Sequence, residues 1–254
     1  MWVIVGCGYV GTLVAQRLVA AGEEVTVTGR RGPPAIPGTR CLQFDDADNT
    51  PLPVAGATVV WLAPPRADVT RLSEIARLAE RFVYVSSTGV YGPGGGGWVD
   101  ESAPLAPITA SGRLRVAAEH ALDRDAVVLR VAGIYGPGRG LGERMRAGTY
   151  RIVGDGTAHV SRIHVEDLAT AILAAGRSAI SGAVNIADDD PAPIGEVADA
   201  LAARLGLPPP PRVAPSAVDP EVAGMLTADR RIANARMKRE LGVVLKFPSW
   251  RDGA

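Results

Sequence analysis

The first twenty residues constrain the possible folds more strongly than any other part of the chain. A short apolar run at residues 2–5 leads into the turn Gly6-Cys7-Gly8-Tyr9-Val10-Gly11, and apolar side chains then recur at helical spacing to Leu18. The order of strand, glycine-rich turn and helix is typical of a nucleotide-binding βαβ unit, and a glycine turn without a ligand is the alternative. The dinucleotide contacts predicted at this turn are Gly6, Gly8, Tyr9, Val10 and Gly11.

The end of the second predicted strand indicates which dinucleotide is bound. An NAD site usually places an acidic residue there to accept hydrogen bonds from the ribose 2′-hydroxyl. This chain has Gly29-Arg30-Arg31 instead, and guanidinium groups suit a 2′-phosphate. We therefore predict NADP(H) in preference to NAD(H), with solvated loop arginines as the alternative. The remaining predicted cofactor contacts follow the third and fourth strands and are Asp45, Leu62 and Ala63.

Composition limits the classes of partner. The 254 residues include 27 basic and 27 acidic side chains, and this balance favours neither nucleic acid nor an anionic membrane as a partner. No apolar stretch approaches the roughly 18 residues of a membrane-spanning helix. The two cysteines are too few for a disulfide framework and predict a reducing, cytoplasmic location. The three histidines have no metal-ligand spacing, so no metal site is predicted.

Apolar strand patterns alternate with helical patterns along the first half of the chain. This alternation predicts an α/β fold, a doubly wound parallel sheet of the Rossmann type with helices on both faces, and a small C-terminal substrate lobe. The nucleotide-binding domain is predicted to span residues 1–135 and to be rejoined by about 163–187. The lobe is assigned residues 136–162 and 188–254.

Ligands of open α/β sheets bind beyond the carboxyl ends of the strands, so the segments after the strands are the place to search for chemistry. Three such segments occur together: Val85-Ser86-Ser87-Thr88-Gly89-Val90-Tyr91-Gly92, Arg130-Val131-Ala132-Gly133-Ile134-Tyr135-Gly136-Pro137-Gly138 and Arg162-Ile163-His164-Val165-Glu166-Asp167-Leu168. With them the chain resembles an extended short-chain dehydrogenase/reductase of the NAD-dependent epimerase/dehydratase superfamily, from residue 1 to about 190. The short chain and Ala63-Pro64-Pro65 are most similar to the YeeZ-like atypical branch.

The resemblance implies a Tyr-x-x-x-Lys pair and a nearby Ser or Thr as the catalytic groups. Counting back from Val90-Tyr91-Gly92 puts Ser87 at the Ser/Thr position. Counting back from Glu119 puts Ser111 at the tyrosine position and Arg115 at the lysine position, so the usual pair is absent. Arg115 retains a charge that suits the nicotinamide ribose, but Ser111 is far too weak an acid to replace tyrosine without an adjacent base.

Few residues are available to supply the missing proton. Tyr91 is a candidate, with a packed aromatic side chain as the alternative, and His164 is a candidate, with a structural histidine as the alternative. The predicted catalytic residues are Ser87, Ser111, Arg115 and Tyr91, and the predicted substrate contacts are Ser87, Thr88, Tyr91, Arg162 and His164. Five arginines stand where the lobe begins, and they indicate either an anionic substrate or a solvated face: Arg139, Arg144, Arg146, Arg151 and Arg162.

Two functions from different classes fit this pattern. The first is an NADP(H)-dependent oxidoreductase or epimerase-like enzyme with a non-standard acid/base, acting on a small carbonyl or hydroxyl substrate. The second is a non-catalytic NADP(H)-binding redox sensor or regulator that lost the Tyr-Lys pair. The resemblance also implies a homodimer through the helices near residues 67–80 and 110–123.

Overall fold

A seven-stranded parallel sheet forms the centre of the molecule. The computed structural model describes residues 1–48 and 50–253. The strands of the sheet are β1 (Trp2–Val5), β2 (Val25–Gly29), β3 (Thr39–Gln43), β4 (Thr58–Trp61), β5 (Arg81–Ser87), β6 (Val127–Val131) and β7 (Gly182–Ile186). They run in the order β7-β6-β5-β4-β1-β2-β3, and every neighbouring pair is parallel. The prediction of a doubly wound α/β fold is confirmed.

Helices cover both faces of the sheet and build the lobe. Within the described residues the α-helices are α1 (Tyr9–Ala20), α2 (Thr70–Leu78), α3 (Ala110–His120), α4 (Leu141–Arg146), α5 (Val165–Arg177), α6 (Ile194–Arg204), α7 (Pro220–Leu226), α8 (Ala235–Leu241) and α9 (Trp250–Gly253). Short 3-10 turns lie at Thr88–Val90 and Pro215–Ala217. None of the helices in this part of the chain is both long and apolar enough to cross a membrane.

The alternation of side chains along the strands produces two cores. In β1, Ile4 points into a cluster that includes α1 and α5, while Val3 and Val5 point into a second cluster with α2 and α3. All four residues of β1 are buried, as expected for a strand of a parallel sheet that is covered on both faces. Apolar packing on both faces of the sheet fixes the strands, so that their carboxyl ends lie in one row along the same edge.

The small lobe has a core of its own and is joined to the sheet region by short strand pairs. Its buried side chains come mainly from residues 141–153, from α6 and from Trp250. Residues 133–135 pair with residues 162–164, and residues 159–160 pair with residues 192–193. Residues 98–99 pair with residues 231–232. These pairs place the lobe above the carboxyl ends of β5 and β6.

Candidate active site

The glycine turn after β1 is shaped by close backbone contacts. Gly6 has φ +90°, and a Cβ atom there would lie 2.7 Å from the backbone N of Ala63. A Cβ atom at Gly11 would lie 3.1 Å from the carbonyl oxygen of Gly6. Side chains at either position would push α1 away from the strands, so both glycines are required by packing.

The same turn leaves room for a phosphate group. A Cβ atom at Gly8 would meet nothing within 4 Å, so open space lies in front of this backbone. No described side chain caps the N-terminus of α1, and its first turn contains no acidic residue. Unpaired N–H groups and the helix dipole therefore face a cleft of about 490 Å³, which Gly6, Gly8, Leu62 and Ala63 help to line. The residues present fit the diphosphate of a dinucleotide.

The side chains of two predicted contacts at the turn, Tyr9 and Val10, are engaged within the protein. The side chain of Val10 is buried in the core, with 7% of its surface exposed. The Tyr9 hydroxyl donates to the carbonyl oxygen of Pro137 at 3.0 Å, and the Arg139 guanidinium lies 5.4 Å from the Tyr9 ring centroid. Tyr9 thus joins the nucleotide-binding turn to the start of the lobe.

The far end of the cleft carries two arginines. These are Arg30 and Arg66. Arg30 and Arg31 are both exposed, but only Arg30 lines the cleft, and no described carboxylate forms an ion pair with it. Arg66 donates to Asp46 at 2.7 Å and to Asp45 at 2.5 Å. Asp46 lines the cleft, but the predicted contact Asp45 does not. The carboxylates of Asp45 and Asp46, at this end of the cleft, are thus already hydrogen-bonded to Arg66.

A second pocket of about 300 Å³ lies between the ends of β5 and β6 and the small lobe. Ser87, Thr88 and Gly89 line it from the sheet side, where Ser87 Oγ accepts a hydrogen bond from the Gly89 N–H at 3.1 Å. Arg162 lines it from the lobe side. No aspartate or glutamate of the described chain lines this pocket. The structure thus brings together three of the predicted substrate contacts, Ser87, Thr88 and Arg162.

The residues at the positions of the usual Tyr-Lys pair lie elsewhere. The backbone N–H groups of Ala110 and Ser111 donate to the carboxylate of Glu221, at 2.6 Å and 2.9 Å. Arg115 donates to the carbonyl oxygen of Val85 at 3.3 Å. Neither Ser111 nor Arg115 lines the pocket that contains Ser87 or the cleft below it. The structure therefore places neither side chain where the sequence predicted a catalytic group.

Tyr91 is a structural residue rather than a pocket residue. Only 1% of its surface is exposed, and its hydroxyl donates to Asn185 at 2.8 Å and accepts from Arg130 at 3.0 Å. Burial raises the pKa of this hydroxyl. Because both hydrogen-bonding capacities are used inside the protein, Tyr91 is not placed to deliver a proton to a substrate.

His164 is likewise removed from the substrate pocket. It is 2% exposed, and its Nδ1 accepts a hydrogen bond from the Glu166 N–H at 3.3 Å at the start of α5. Its ring lies 3.7 Å from the Phe247 ring, centroid to centroid, and contacts Tyr135 edge-on. Burial lowers the pKa of the ring. These contacts make it a capping and packing residue that borders a different cleft, the one lined by α4, α6 and α9.

The pocket contains side chains that the sequence did not single out. His159 lines it, with Nδ1 2.9 Å from Asp229 and Nε2 2.8 Å from Arg231, so both ring nitrogens have partners. Tyr150 and Arg230 also line it. His159 belongs to a two-residue strand, Asp229 lies in an irregular segment, and the two are 70 residues apart in sequence. No local sequence pattern could have paired them.

One buried acid neighbours Arg162, because the backbone N–H of Asp188 donates to the carbonyl oxygen of Arg162 at 2.7 Å. Asp188 has 1% of its surface exposed, and neither carboxyl oxygen makes a hydrogen bond of ordinary geometry with a described residue. Burial, partly offset by the Asp190 backbone N–H and the Arg162 guanidinium, raises the pKa of Asp188 to about 8. At pH 7 this carboxyl group is mostly neutral. Among the described residues no three potential ligand side chains converge as a metal site.

The fold and the first cavity are those of a Rossmann-type nucleotide-binding protein, and a second cavity lies above its sheet. Residues 67–187 match the model of the NAD dependent epimerase/dehydratase family. A Streptomyces protein named 3-diazoavenalumate denitrifying reductase is 35% identical over 204 residues, which are 72% of this chain and 67% of that protein. The chain belongs to the NAD-dependent epimerase/dehydratase family, as its motifs predicted.

Solved structures agree with this assignment. A functionally unknown conserved protein from Silicibacter pomeroyi is 31% identical, with a TM-score of 0.82 over 99% of this chain and 95% of that one. A human epimerase family protein, determined with NADPH, is 25% identical, with a TM-score of 0.79 over 98% of this chain and 96% of that one. The chain is thereby placed among the nicotinamide-dependent oxidoreductases and epimerases.

Proposed function

We propose that this protein is an NADP(H)-dependent reductase of a small molecule. The observation that carries the proposal is the arrangement of the two cavities along one edge of the sheet. The cleft of the glycine turn lies over the ends of β1 to β4, and the pocket of Ser87 lies over the ends of β5 and β6. Gly8 would hold the phosphates of a dinucleotide that spans this row of strand ends, and Ser87 would border the end that carries the reactive ring.

The residues at the adenosine end support NADP(H) over NAD(H). Arg30 has no ion-pair partner among the described residues and is free to contact a 2′-phosphate. Asp46, which would otherwise suit ribose hydroxyls, is held by Arg66. A related human protein was determined with NADPH, and more distant proteins of the same fold were determined with NAD. The preference therefore depends on Arg30 rather than on family membership.

The side chains of the pocket suggest how the reaction is supported. When bound, the nicotinamide supplies a hydride, which is two electrons and a proton. Ser87 and Thr88 present hydroxyl groups at the sheet side of the pocket and would orient the group that is reduced. The apolar lining around Val131 and Ile194 excludes water from the substrate. Neither Ser111 nor Arg115 takes part.

The absence of the Tyr-Lys pair favours electrophiles that need little help from an acid. Reduction of a carbonyl group requires a proton at oxygen, which Ser87, Thr88 or water would have to deliver. Replacement of a diazonium group by hydrogen breaks the C–N bond, releases N₂ with that electron pair and requires no proton from the protein. A relative 35% identical is named as a denitrifying reductase of a diazo compound. A pocket of about 300 Å³ is at the lower end for ligand sites and favours a small substrate over a nucleotide sugar.

Turnover with a matched panel tests this proposal. Purified protein and NADPH are mixed with aromatic aldehydes, 3-oxo esters and arenediazonium salts, each with and without a carboxylate, and the absorbance at 340 nm is followed. We expect enzyme-dependent oxidation of NADPH with at least one class. S87A should lower kcat/KM by about tenfold or more, since it removes an orienting hydroxyl. S111A should change kcat/KM by less than about twofold.

The sensor remains the second candidate because the Tyr-Lys pair is missing. Tight binding of NADPH without turnover on any member of the panel would favour it and contradict the reductase. A homodimer through α2 and α3 is part of the proposal under either function. Leu78, at the end of α2, is 60% exposed and is available for such an interface.

A further inference from the structure

The lobe side of the substrate pocket carries positive charge without acidic partners. Arg144, Arg151, Arg162 and Arg230 all line the pocket. In the part of the chain that the structure describes, none of the ion pairs includes any of these four arginines. Since the lining also contains no aspartate or glutamate of the described residues, the pocket is strongly cationic.

The four arginines differ in what holds their side chains. Arg151 donates to the carbonyl oxygens of Gly148 and Tyr150, and Arg230 donates to those of Tyr91 and Gly92. Backbone carbonyl groups thus occupy donors of both guanidinium groups. Arg144 and Arg162 have no such hydrogen bonds among the described residues, which leaves their donors available.

Arg162 is the most unusual of the four. It is only partly exposed, its Nε is fully buried, and this nitrogen has no hydrogen-bond partner among the described residues. Burial lowers its pKa, and the nearby carboxyl group of Asp188 is mostly neutral at pH 7. A buried cation without a partner destabilises the folded state. Arg162 lines both this pocket and the cleft of α4, α6 and α9, so an anionic ligand bound in the pocket would supply the compensating charge.

Arg144 and Tyr150 complete the same corner. The guanidinium of Arg144 lies 5.3 Å from the centroid of the Tyr150 ring. Tyr150 is buried, with 4% exposure, and lines the pocket, and no described residue forms a hydrogen bond with its hydroxyl. Two guanidinium groups and a phenol hydroxyl therefore offer hydrogen-bond donors to one anionic group.

We infer that Arg144, Tyr150 and Arg162 form a subsite that binds the carboxylate of the substrate. The space between this subsite and Ser87 is lined by apolar side chains, among them Val131, Val153, Val160 and Ile194. The substrate class is thus a small organic acid with an apolar body, whose reducible group lies at the Ser87 end. This inference rests on the proposed reductase function, because it assigns the substrate of the same pocket. It narrows the substrates of the proposed reductase to carboxylates.

Binding of a matched pair of probes tests the subsite. The affinities of trans-cinnamate and of cinnamamide, which differ mainly in charge, are measured by isothermal titration calorimetry on the protein saturated with NADP⁺. We expect cinnamate to bind at least about tenfold more tightly, since charge-assisted hydrogen bonds are worth about tenfold to a hundredfold in affinity. Equal affinities, or no binding of cinnamate, would overturn the inference. Tighter binding of phenyl phosphate than of cinnamate would also overturn it.

Variants separate the subsite from general effects of charge. R162Q and R144Q should each weaken cinnamate binding by about tenfold, and Y150F by a smaller factor. R146Q is the control, because Arg146 is also on α4 but pairs with Glu143 at 2.9 Å and borders the other cleft. It should leave the affinity unchanged within about twofold. Equal losses in R146Q and R144Q would contradict a defined subsite.

A second readout distinguishes a ligand-binding role of Arg162 from a structural one. Replacing an uncompensated buried charge by a neutral amide should leave Tm unchanged or raise it, whereas loss of a structural contact would lower it. A lower Tm of R162Q with unchanged cinnamate affinity would overturn the assignment. NADPH binding to the same variants is measured separately, so failure of the cofactor proposal and failure of this subsite give different results.

Discussion

Asp188 shows how strongly the surroundings of one residue alter its chemistry. It is the second residue after the end of the strand β7 and the first of three consecutive aspartates, Asp188-Asp189-Asp190. The structure buries this first acid, whose backbone N–H donates to the carbonyl oxygen of Arg162 at 2.7 Å. Asp188 is buried because the lobe packs on the sheet. This packing joins segments that are distant in sequence, so the local sequence does not predict it.

The raised pKa of Asp188 predicts a specific dependence of stability on pH. In the unfolded chain this carboxyl group ionises near pH 3.8, but in the folded protein it ionises near pH 8. Between these values the folded state binds the extra proton, so this group lowers the free energy of unfolding as pH rises, by at most about 1.4 kcal/mol per pH unit. Below pH 3.8 the effect is absent.

D188N should remove this dependence because an amide does not ionise. We expect D188N to be more stable than the unchanged protein at pH 8, and the difference to be smaller at pH 5. Urea unfolding at both pH values measures it. D189N is the matched control, since Asp189 is more exposed and pairs with Lys238. The same pH dependence in D188N and the unchanged protein would contradict a buried, protonated Asp188.

Residue counting along motifs predicted some site residues and misplaced others. Ser87, predicted as a catalytic and substrate-binding residue, lines the pocket because it ends a strand at the edge where ligands bind. Tyr91 is only four residues further on, yet the 3-10 turn Thr88–Val90 directs it into the interior. Counting also put Ser111 on the correct helix, but Glu221, 110 residues away, covers that end of α3. Contacts so distant in sequence leave no local signal.

At the scale of secondary-structure elements, a buried polar network joins the parts of the site. Glu119 of α3 accepts from Ser86 of β5 at 2.5 Å and forms an ion pair with Arg130 of β6 at 2.9 Å. Arg130 also donates a hydrogen bond to the Tyr91 hydroxyl, which in turn donates to the side-chain oxygen of Asn185 in β7. The network fixes α3 and three strands relative to one another. Two residues of the motif after β5, Ser86 and Tyr91, therefore have a structural role in this network.

Breaking this network should lower the free energy of unfolding, because its ion pair is almost inaccessible to solvent. The side chains of Arg130 and Glu119 are 8% and 5% exposed. E119Q leaves the Arg130 charge buried without a counterion, so we expect the free energy of unfolding to fall by about 3 kcal/mol. E143Q is the control, because it removes the exposed ion pair with Arg146 and should have almost no effect. Equal effects of the two substitutions in urea unfolding would contradict the structural role.

At the scale of the whole molecule, the sheet was predictable and the lobe was not. Strands such as β1 and β6, apolar at every position except Arg130 and each followed or preceded by an amphipathic helix, leave few alternatives to a parallel doubly wound sheet. The lobe is joined by pairs of two or three residues, such as 159–160 with 192–193. Segments this short carry no periodicity, so the sequence does not indicate which side chains of the lobe face the pocket.

The most direct test of the account is a fluorescence titration of the purified protein with NADPH, NADP⁺, NADH and NAD⁺. We predict that NADPH binds at least about tenfold more tightly than NADH and that R30A reduces this preference to about threefold or less. R31A is the control, since Arg31 lies outside the cleft, and it should keep the preference. Equal affinities for NADPH and NADH, or no binding of any nucleotide, would contradict the account.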